Sequence, residues 1–331
     1  MTNRERFFAV LHGERPDRLP CVEWASWWNL TKERWMSEGA PEADGPDTLQ
    51  NYFGLDPLRQ IWVGSQGAGC PAPAYHGAGI LNSEEEYEAL LPYLYTDELI
   101  ERAVERAESW REGHERGDYA TWLTLDGFFW YPRKLFGIEN HLYAFYDYPE
   151  LMHRMNRDLV AHQLRCLEKI LPVLQPEFMT IAEDMSYNHG PMLSKALFDE
   201  FMLPYYRQVV PVIREAGVKV FIDTDGNVEP LIPWFEEAGI EGVLPLERQA
   251  GVDVNRIRKE HPEWLMIGGY DKTIMHLGEE AMRKEFERIL PAMRSGRYIP
   301  SVDHQTPPDV SVDQYRIYVR LLHEYAQKAV L

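Results

Sequence analysis

Cysteine is scarce in this chain. Three residues in 331, Cys21, Cys70 and Cys166, lie far apart with no CxxC and no paired spacing. Such spacing gives no disulfide framework, and a cytosolic setting is expected. Basic charge is also short, with 34 Lys and Arg against 53 Asp and Glu, a formal charge of −19. A phosphate backbone or an anionic membrane surface needs a basic partner, so nucleic acid and membrane are not expected ligands. No apolar run approaches a membrane span, and the first residues, MTNRERFFAVLHGERPD, have no apolar signal core. An intact cytosolic protein is therefore expected. A Walker loop, a GxGxxG fingerprint and a GxSxG elbow are absent, which leaves nucleotide binding and serine hydrolysis without support. Neither a short internal repeat nor a composition break divides the chain, so residues 1–331 are expected to form one domain.

What the chain has is alternation. Apolar runs near residues 20, 61, 120, 180, 220, 244, 267 and 300 alternate with helical patterns. The strands expected are Leu19–Trp24, Ile61–Val63, Tyr119–Leu125, Phe178–Ala182, Val218–Ile222, Gly242–Leu246, Leu265–Gly269 and Tyr298–Val302. Helices are expected at 3–12, at 84–111 with a break at Pro92, and at 139–147, 149–173, 195–216, 228–238, 253–260, 279–294 and 311–328. Strands alternating with helices imply a parallel sheet, and about eight such units favour a (β/α)8 TIM-type barrel. That barrel would carry an extra N-terminal helix. Residues 40–82, rich in Gly and Pro, are expected to be long loops around a site.

Five consecutive strands end in acids: Glu183-Asp184, Asp223 and Asp225, Glu247, Asp271, and Asp303-His304. The carboxyl ends of parallel strands are where sites sit, so these acids are expected to converge on one mouth. Any one of them also suits a turn or a helix cap. Gathered together they repel, and burying them is costly unless a cation or a substrate compensates. His304 with two carboxylates is a donor set that zinc accepts, whereas all-oxygen ligation would suit Mg²⁺ or Mn²⁺. His189 follows another strand end. Two aromatic groups, Trp24/Trp27/Trp28 and Phe128–Tyr131, also follow strand ends. They are either core or the walls of an apolar pocket above the acids.

The chain also resembles the uroporphyrinogen decarboxylase superfamily, which includes zinc-dependent, corrinoid-linked methyltransferases. The resemblance runs through Asn3–Phe7, Arg15–Pro20, Glu183-Asp184-Met185, Leu203–Tyr206 and Asp225-Gly226. It continues through Pro245-Leu246-Glu247, Ala250–Asp253, Gly268–Lys272, Tyr298–His304 and Pro307-Pro308. Two departures matter. Where the decarboxylases carry arginines for a tetrapyrrole of many carboxylates, this chain reads Glu23-Trp24-Ala25-Ser26-Trp27-Trp28. Where the thiol-methylating members place a His-x-Cys pair and a later Cys, it has Asp223-Thr224-Asp225 and His304. The resemblance therefore implies a methyltransferase that passes a methyl group from a methylated small molecule, such as a methoxylated aromatic, to a corrinoid protein. It implies zinc on Asp225, Glu247 and His304, secondary acids among Asp184, His189, Tyr270 and Asp271, and substrate contacts from Trp24, Trp27, Trp28, Phe129, Trp130 and Tyr187. A homodimer is also implied. A metal-dependent decarboxylase of a small acid, and a binding protein whose acids are only caps, are the alternatives.

Overall fold

The computed structural model describes all 331 residues. Seven parallel strands form one sheet in chain order: β1 Leu58–Val63, β2 Ala120–Asp126, β3 Phe178–Ala182, β6 Lys219–Asp223, β7 Gly242–Leu244, β8 Leu265–Tyr270 and β9 Tyr298–Val302. Two short strands, β4 Ser186–Tyr187 and β5 Gly190–Pro191, make a separate antiparallel hairpin after β3. Helices carry the chain back between sheet strands, so every strand points the same way and all carboxyl ends share one side. The strands are buried along nearly their full length, as a parallel sheet covered by helices requires.

The expected first strand, Leu19–Trp24, forms no ladder. Its donors are engaged elsewhere. Leu19 N–H bonds the Ala326 carbonyl at 3.3 Å, Pro20 has no N–H, and Cys21 N–H goes to the Asp56 carboxylate at 2.9 Å. The segment still spans the gap between β9 and β1. Ser301 on β9 donates to Glu23 at 3.0 Å, Trp24 Nε1 donates to the Val302 carbonyl at 2.8 Å, and Asp56 N–H, just before β1, donates to the Cys21 carbonyl at 2.8 Å.

Helix boundaries follow local chemistry. The first helix, Asn3–Leu11, opens on a Thr2/Glu5 capping box, and the last, Val312–Lys328, on a Ser311/Gln314 box. Pro92 splits the polar helical stretch into Glu84–Leu90 and Asp97–Arg116. The helix expected over 195–216 breaks at Met202 into Lys195–Phe201 and Leu203–Glu215, with Pro204 in the first turn of the second. Three helices, Asn29–Ser37, Thr48–Phe53 and Trp130–Phe136, fall where none was expected. No helix is long and apolar enough to cross a membrane.

The N-terminal helix decides which end of the sheet is free. Asn3 donates to the Asp118 carbonyl and Arg4 to the Glu177 carboxylate, both just before a strand. Phe7 stacks on Phe178, which in turn meets Trp122 at 5.3 Å and Phe221 at 5.2 Å. The amino ends are thus covered by an aromatic layer and only the carboxyl ends stay open. Phe178→Ala removes the ring that all three neighbours touch. The expected loss is about 3–5 kcal/mol, seen as a lower urea midpoint at unchanged slope. A midpoint equal to that of the wild type would mean the layer does not hold this end together.

Candidate functional site

The acids at the carboxyl ends divide into those the backbone uses and those it leaves. Glu183 is used. Its buried carboxylate accepts N–H bonds from Phe128, Phe129 and Trp130 at 2.8, 2.7 and 3.0 Å, and a hydroxyl bond from Tyr206. It thereby caps the helix that starts at Trp130. Gly127 must be glycine here, because a Cβ would lie 2.1 Å from the Glu183 carboxyl carbon. Asp271 caps the turn after β8, accepting from Thr273 N–H at 2.9 Å and from its hydroxyl at 2.6 Å. Asp303 is fully buried and accepts from Arg248 N–H at 2.9 Å and from Lys272 N–H and Nζ, each at 3.2 Å. Burial pushes its carboxyl up to about 6 while Lys272 opposes.

The acids left are Asp184, Asp223 and Asp225. The hairpin holds the turn that carries Asp225. Met185 N–H bonds Thr224 Oγ1 at 3.0 Å, Asn227 N–H bonds the Tyr187 carbonyl at 2.9 Å, and Ser186 Oγ bonds the Asp225 carbonyl. Gly226, at φ +80°, approaches the Tyr187 backbone so closely that a Cβ would sit 2.5 Å from it. Asp225 Oδ1 stands 3.6 Å from His304 Nε2, beyond hydrogen-bond length. Burial, then the charges of Asp184 and Glu247, push the Asp225 carboxyl up to about 7, against Lys272 and Arg133. Burial raises Asp184 as well, and it raises Asp223 strongly with help from Asp184 and Asp225. His304 moves the other way: burial and Lys272 hold its ring below its ordinary value and favour the neutral form. The mouth therefore pairs a carboxyl pushed up toward neutral pH with an imidazole held below its ordinary value, which is an acid–base arrangement.

As a metal centre the arrangement does not fit. No three His, Cys, Asp or Glu side chains meet in a way that could hold an ion. Of the expected ligands, Asp225 approaches His304, but Glu247 Oε2 is bound to Gly226 N–H at 2.8 Å.

The remaining expected residues scatter. Tyr270 is fully buried in the helix layer, 4.6 Å from Phe286 and 4.9 Å from Tyr318, and so does not reach the mouth. Phe129 is likewise core, packed on His141 and Phe145. Trp28 is exposed at the start of helix 29–37, and Trp27 packs on Trp35, Phe53 and Tyr315. Trp24 does stand at the mouth, its ring edge-on to His304 at 6.1 Å. Tyr187 and His189 are exposed on the hairpin, ring to ring at 5.6 Å. Trp130 lies under the Arg133 guanidinium at 5.2 Å. Two cations went unforeseen, Arg133 and Lys272. Lys272 had a visible signal, as the residue directly after a strand-end acid. Arg133 had none, since its helix was not expected.

A cavity of about 880 Å³ lies between residues 23–27, β1 and helix 97–116. Trp24 and Trp27 line it, but Asp225, Glu247 and His304 do not. A second cavity, about 420 Å³, lies between the loop at 66–80 and residues 130–138. It shares Arg133 with the mouth, whose Nη1 donates to the Asp184 carbonyl at 3.0 Å.

Residues 133–325 match the model of the uroporphyrinogen decarboxylase (URO-D) family. Among curated proteins, the uroporphyrinogen decarboxylase of Pseudomonas fluorescens (strain SBW25) is 26% identical over 187 residues, 54% of this chain and 50% of that one. That of Pseudomonas syringae pv. syringae (strain B728a) is 25% identical over 191 residues, with the same shares. The chain spans about half the length of the curated relatives it matches. Among solved structures, a methyltransferase from Methanosarcina mazei superposes with a TM-score of 0.65 over 98% of this chain and 99% of that one, at 14% identity. That likeness is one of fold.

The raised carboxyl at Asp225 has a stability signature. Its unfolded value lies near 3.8 and its folded value at about 7, so between these the folded state keeps a proton that the unfolded chain has released. The wild type therefore loses stability as pH rises through that window. Asp225→Asn cannot ionise, so its stability relative to the wild type is expected to rise from about pH 4 to pH 7. Denaturation curves that stay parallel across this range would refute the assignment.

Proposed function

Since the chain belongs to the uroporphyrinogen decarboxylase family, we propose that it is a methyltransferase taking a methyl group from a small methylated donor, with methoxylated aromatics the preferred class. The wall at residues 23–28 carries this reading. Glu23 is buried, accepting from Ser301 and from the Tyr315 hydroxyl at 2.8 Å, and burial pushes its carboxyl up to about 8. Trp24 is pinned by its indole N–H. Residues 23–28 themselves offer no cation to a tetrapyrrole of many carboxylates, although Lys32, Arg59, Arg102 and Arg106 line the cavity beside them, and Trp24 gives the mouth an apolar aromatic face. The fold shared with the Methanosarcina mazei methyltransferase is consistent with this activity. On the same reading the sheet is a (β/α)8 barrel, with residues 19–24 as its eighth stave.

A corrinoid, carried by a separate protein, would supply the nucleophile that accepts the methyl group. This chain has to orient the ether and deliver a proton to the oxygen as its bond to the methyl carbon breaks. Asp225, protonated for part of the time near neutral pH, is placed to give that proton and is left as a carboxylate. His304, neutral beside it, can relay a proton from water to the Asp225 carboxylate for the next turnover. Lys272 and Arg133 act to offset the negative charge that builds up.

A second reading, decarboxylation of a small carboxylic acid, is favoured by Arg133 and Lys272 standing where a carboxylate could be held. It predicts CO₂ release without any corrinoid.

The test supplies reduced corrinoid protein and a panel of methoxyarenes and follows methyl-cobalt absorbance. Transfer is expected, with kcat/KM falling as pH rises through about 7. Asp225→Asn is expected to lose roughly 100-fold in kcat together with that pH dependence. An absence of transfer across the panel would overturn the reading.

A further inference from the structure

The cavity of about 420 Å³ is lined by two cations whose own partners are few. Its walls include Cys70, Pro71, Ile80 and Ile138, and Trp130, Arg133 and Lys134 stand among them. The indole N–H of Trp130 is buried and has no partner. Arg133 spends Nη1 on the Asp184 carbonyl and lies 3.9 Å from the Asp184 carboxylate, leaving most of its five donors unused. Lys134 Nζ stands 3.8 Å from Asp126 Oδ1, too far for a hydrogen bond. Asp126 is itself satisfied by Ser65 N–H at 2.9 Å and by Trp62 Nε1 at 3.4 Å. Two cations, with Gln66 and His76, thus line a cleft in a chain of net charge −19. The complementary ligand has an acceptor-only anionic head and an apolar body. A carboxylate is such a head, and a guanidinium matches it in planar geometry. The volume suits a single-ring molecule.

We propose that this cavity binds an aromatic carboxylate, so that the methyl donor is a methoxylated aromatic acid rather than a neutral ether. The carboxylate takes Arg133 and Lys134, and the ring lies among the apolar residues and Trp130. The second half of this statement rests on the methyltransferase reading; the binding itself does not. Because the cavity shares Arg133 with the mouth, a ligand held here lies beside the strand-end acids.

The test is calorimetric titration of the full chain with 4-methoxybenzoate and with methoxybenzene, its uncharged counterpart. The acid is expected to bind at least about 10-fold tighter, and only its binding should weaken with added salt. Lys134→Met is expected to remove most of that preference without affecting the neutral ether, and Lys134→Arg to keep it. Ile138→Trp, which fills the cleft, is expected to weaken both ligands. Equal affinities for acid and ether, or an acid affinity unchanged in both Lys134→Met and Ile138→Trp, would overturn the proposal. Methyl transfer is scored separately. Selective binding of the acid with no transfer to a corrinoid would sink the methyltransferase reading and leave the cavity's ligand standing. Transfer without preference for the acid would sink the cavity's role alone.

Discussion

Carboxylates brought together out of water repel one another, and each loses its hydration. Everything at the open end of this sheet answers to that constraint. Glu183 meets it with three backbone N–H groups and a tyrosine hydroxyl, Asp303 with two backbone N–H groups and Lys272, and Asp271 with the first turn that it caps. These acids are parts of the scaffold: they hold the starts of the segments that follow the strands. Asp223 and Asp225 have no such partners, and Asp184 has Arg133 at 3.9 Å and the backbone of Asp225. The cheapest answer left to them is to keep a proton. The same repulsion that makes the cluster costly thus turns one member, Asp225, into an acid that works near neutral pH.

This division explains what the sequence could and could not reveal. Seven of the strand runs were legible because buried parallel strands are continuous apolar stretches, and their acidic ends because those stretches stop sharply. The eighth, Leu19–Trp24, has the right composition. Its N–H groups are claimed by Ala326 and Asp56, contacts 307 and 35 residues away in the chain. No local pattern carries that information. Which acids would be spent on backbone was hidden for a similar reason. Glu183 and Asp184 are neighbours, yet one caps a helix more than 50 residues earlier and the other is left facing Arg133.

The aromatic residues show the same limit from the side of direction. Trp24 and Phe129 both follow a strand or strand-like run, but one faces His304 and the other faces His141 inside the helix layer. Tyr270 follows Gly268 and Gly269, both at positive φ, and that departure from strand geometry makes side-chain direction unreadable from alternation. Periodicity assigns faces only while the backbone stays regular, and strand ends are where it stops being so.

The stretch shared with the family, residues 133–325, contains Asp184, Asp225, Glu247, Asp303 and His304. The residues around those acids divide at its boundary. Arg133 and Lys134 are the first two residues inside it. Glu23–Trp28, the loop that carries Cys70 and Ile80, and Trp130 lie outside. The strand-end acids and His304 thus lie inside the matched stretch, although Asp223-Thr224-Asp225 and His304 are where the chain departs from the thiol-methylating members. Selection falls to the walls, and the walls are built largely from the first 132 residues. A cationic wall in that position would hold a polyanion. This one places indole rings at the mouth and leaves two cations in a cleft sized for one ring. The acids of the mouth therefore fall within the matched stretch, while most of the side chains that wall it come from residues that the family match does not reach.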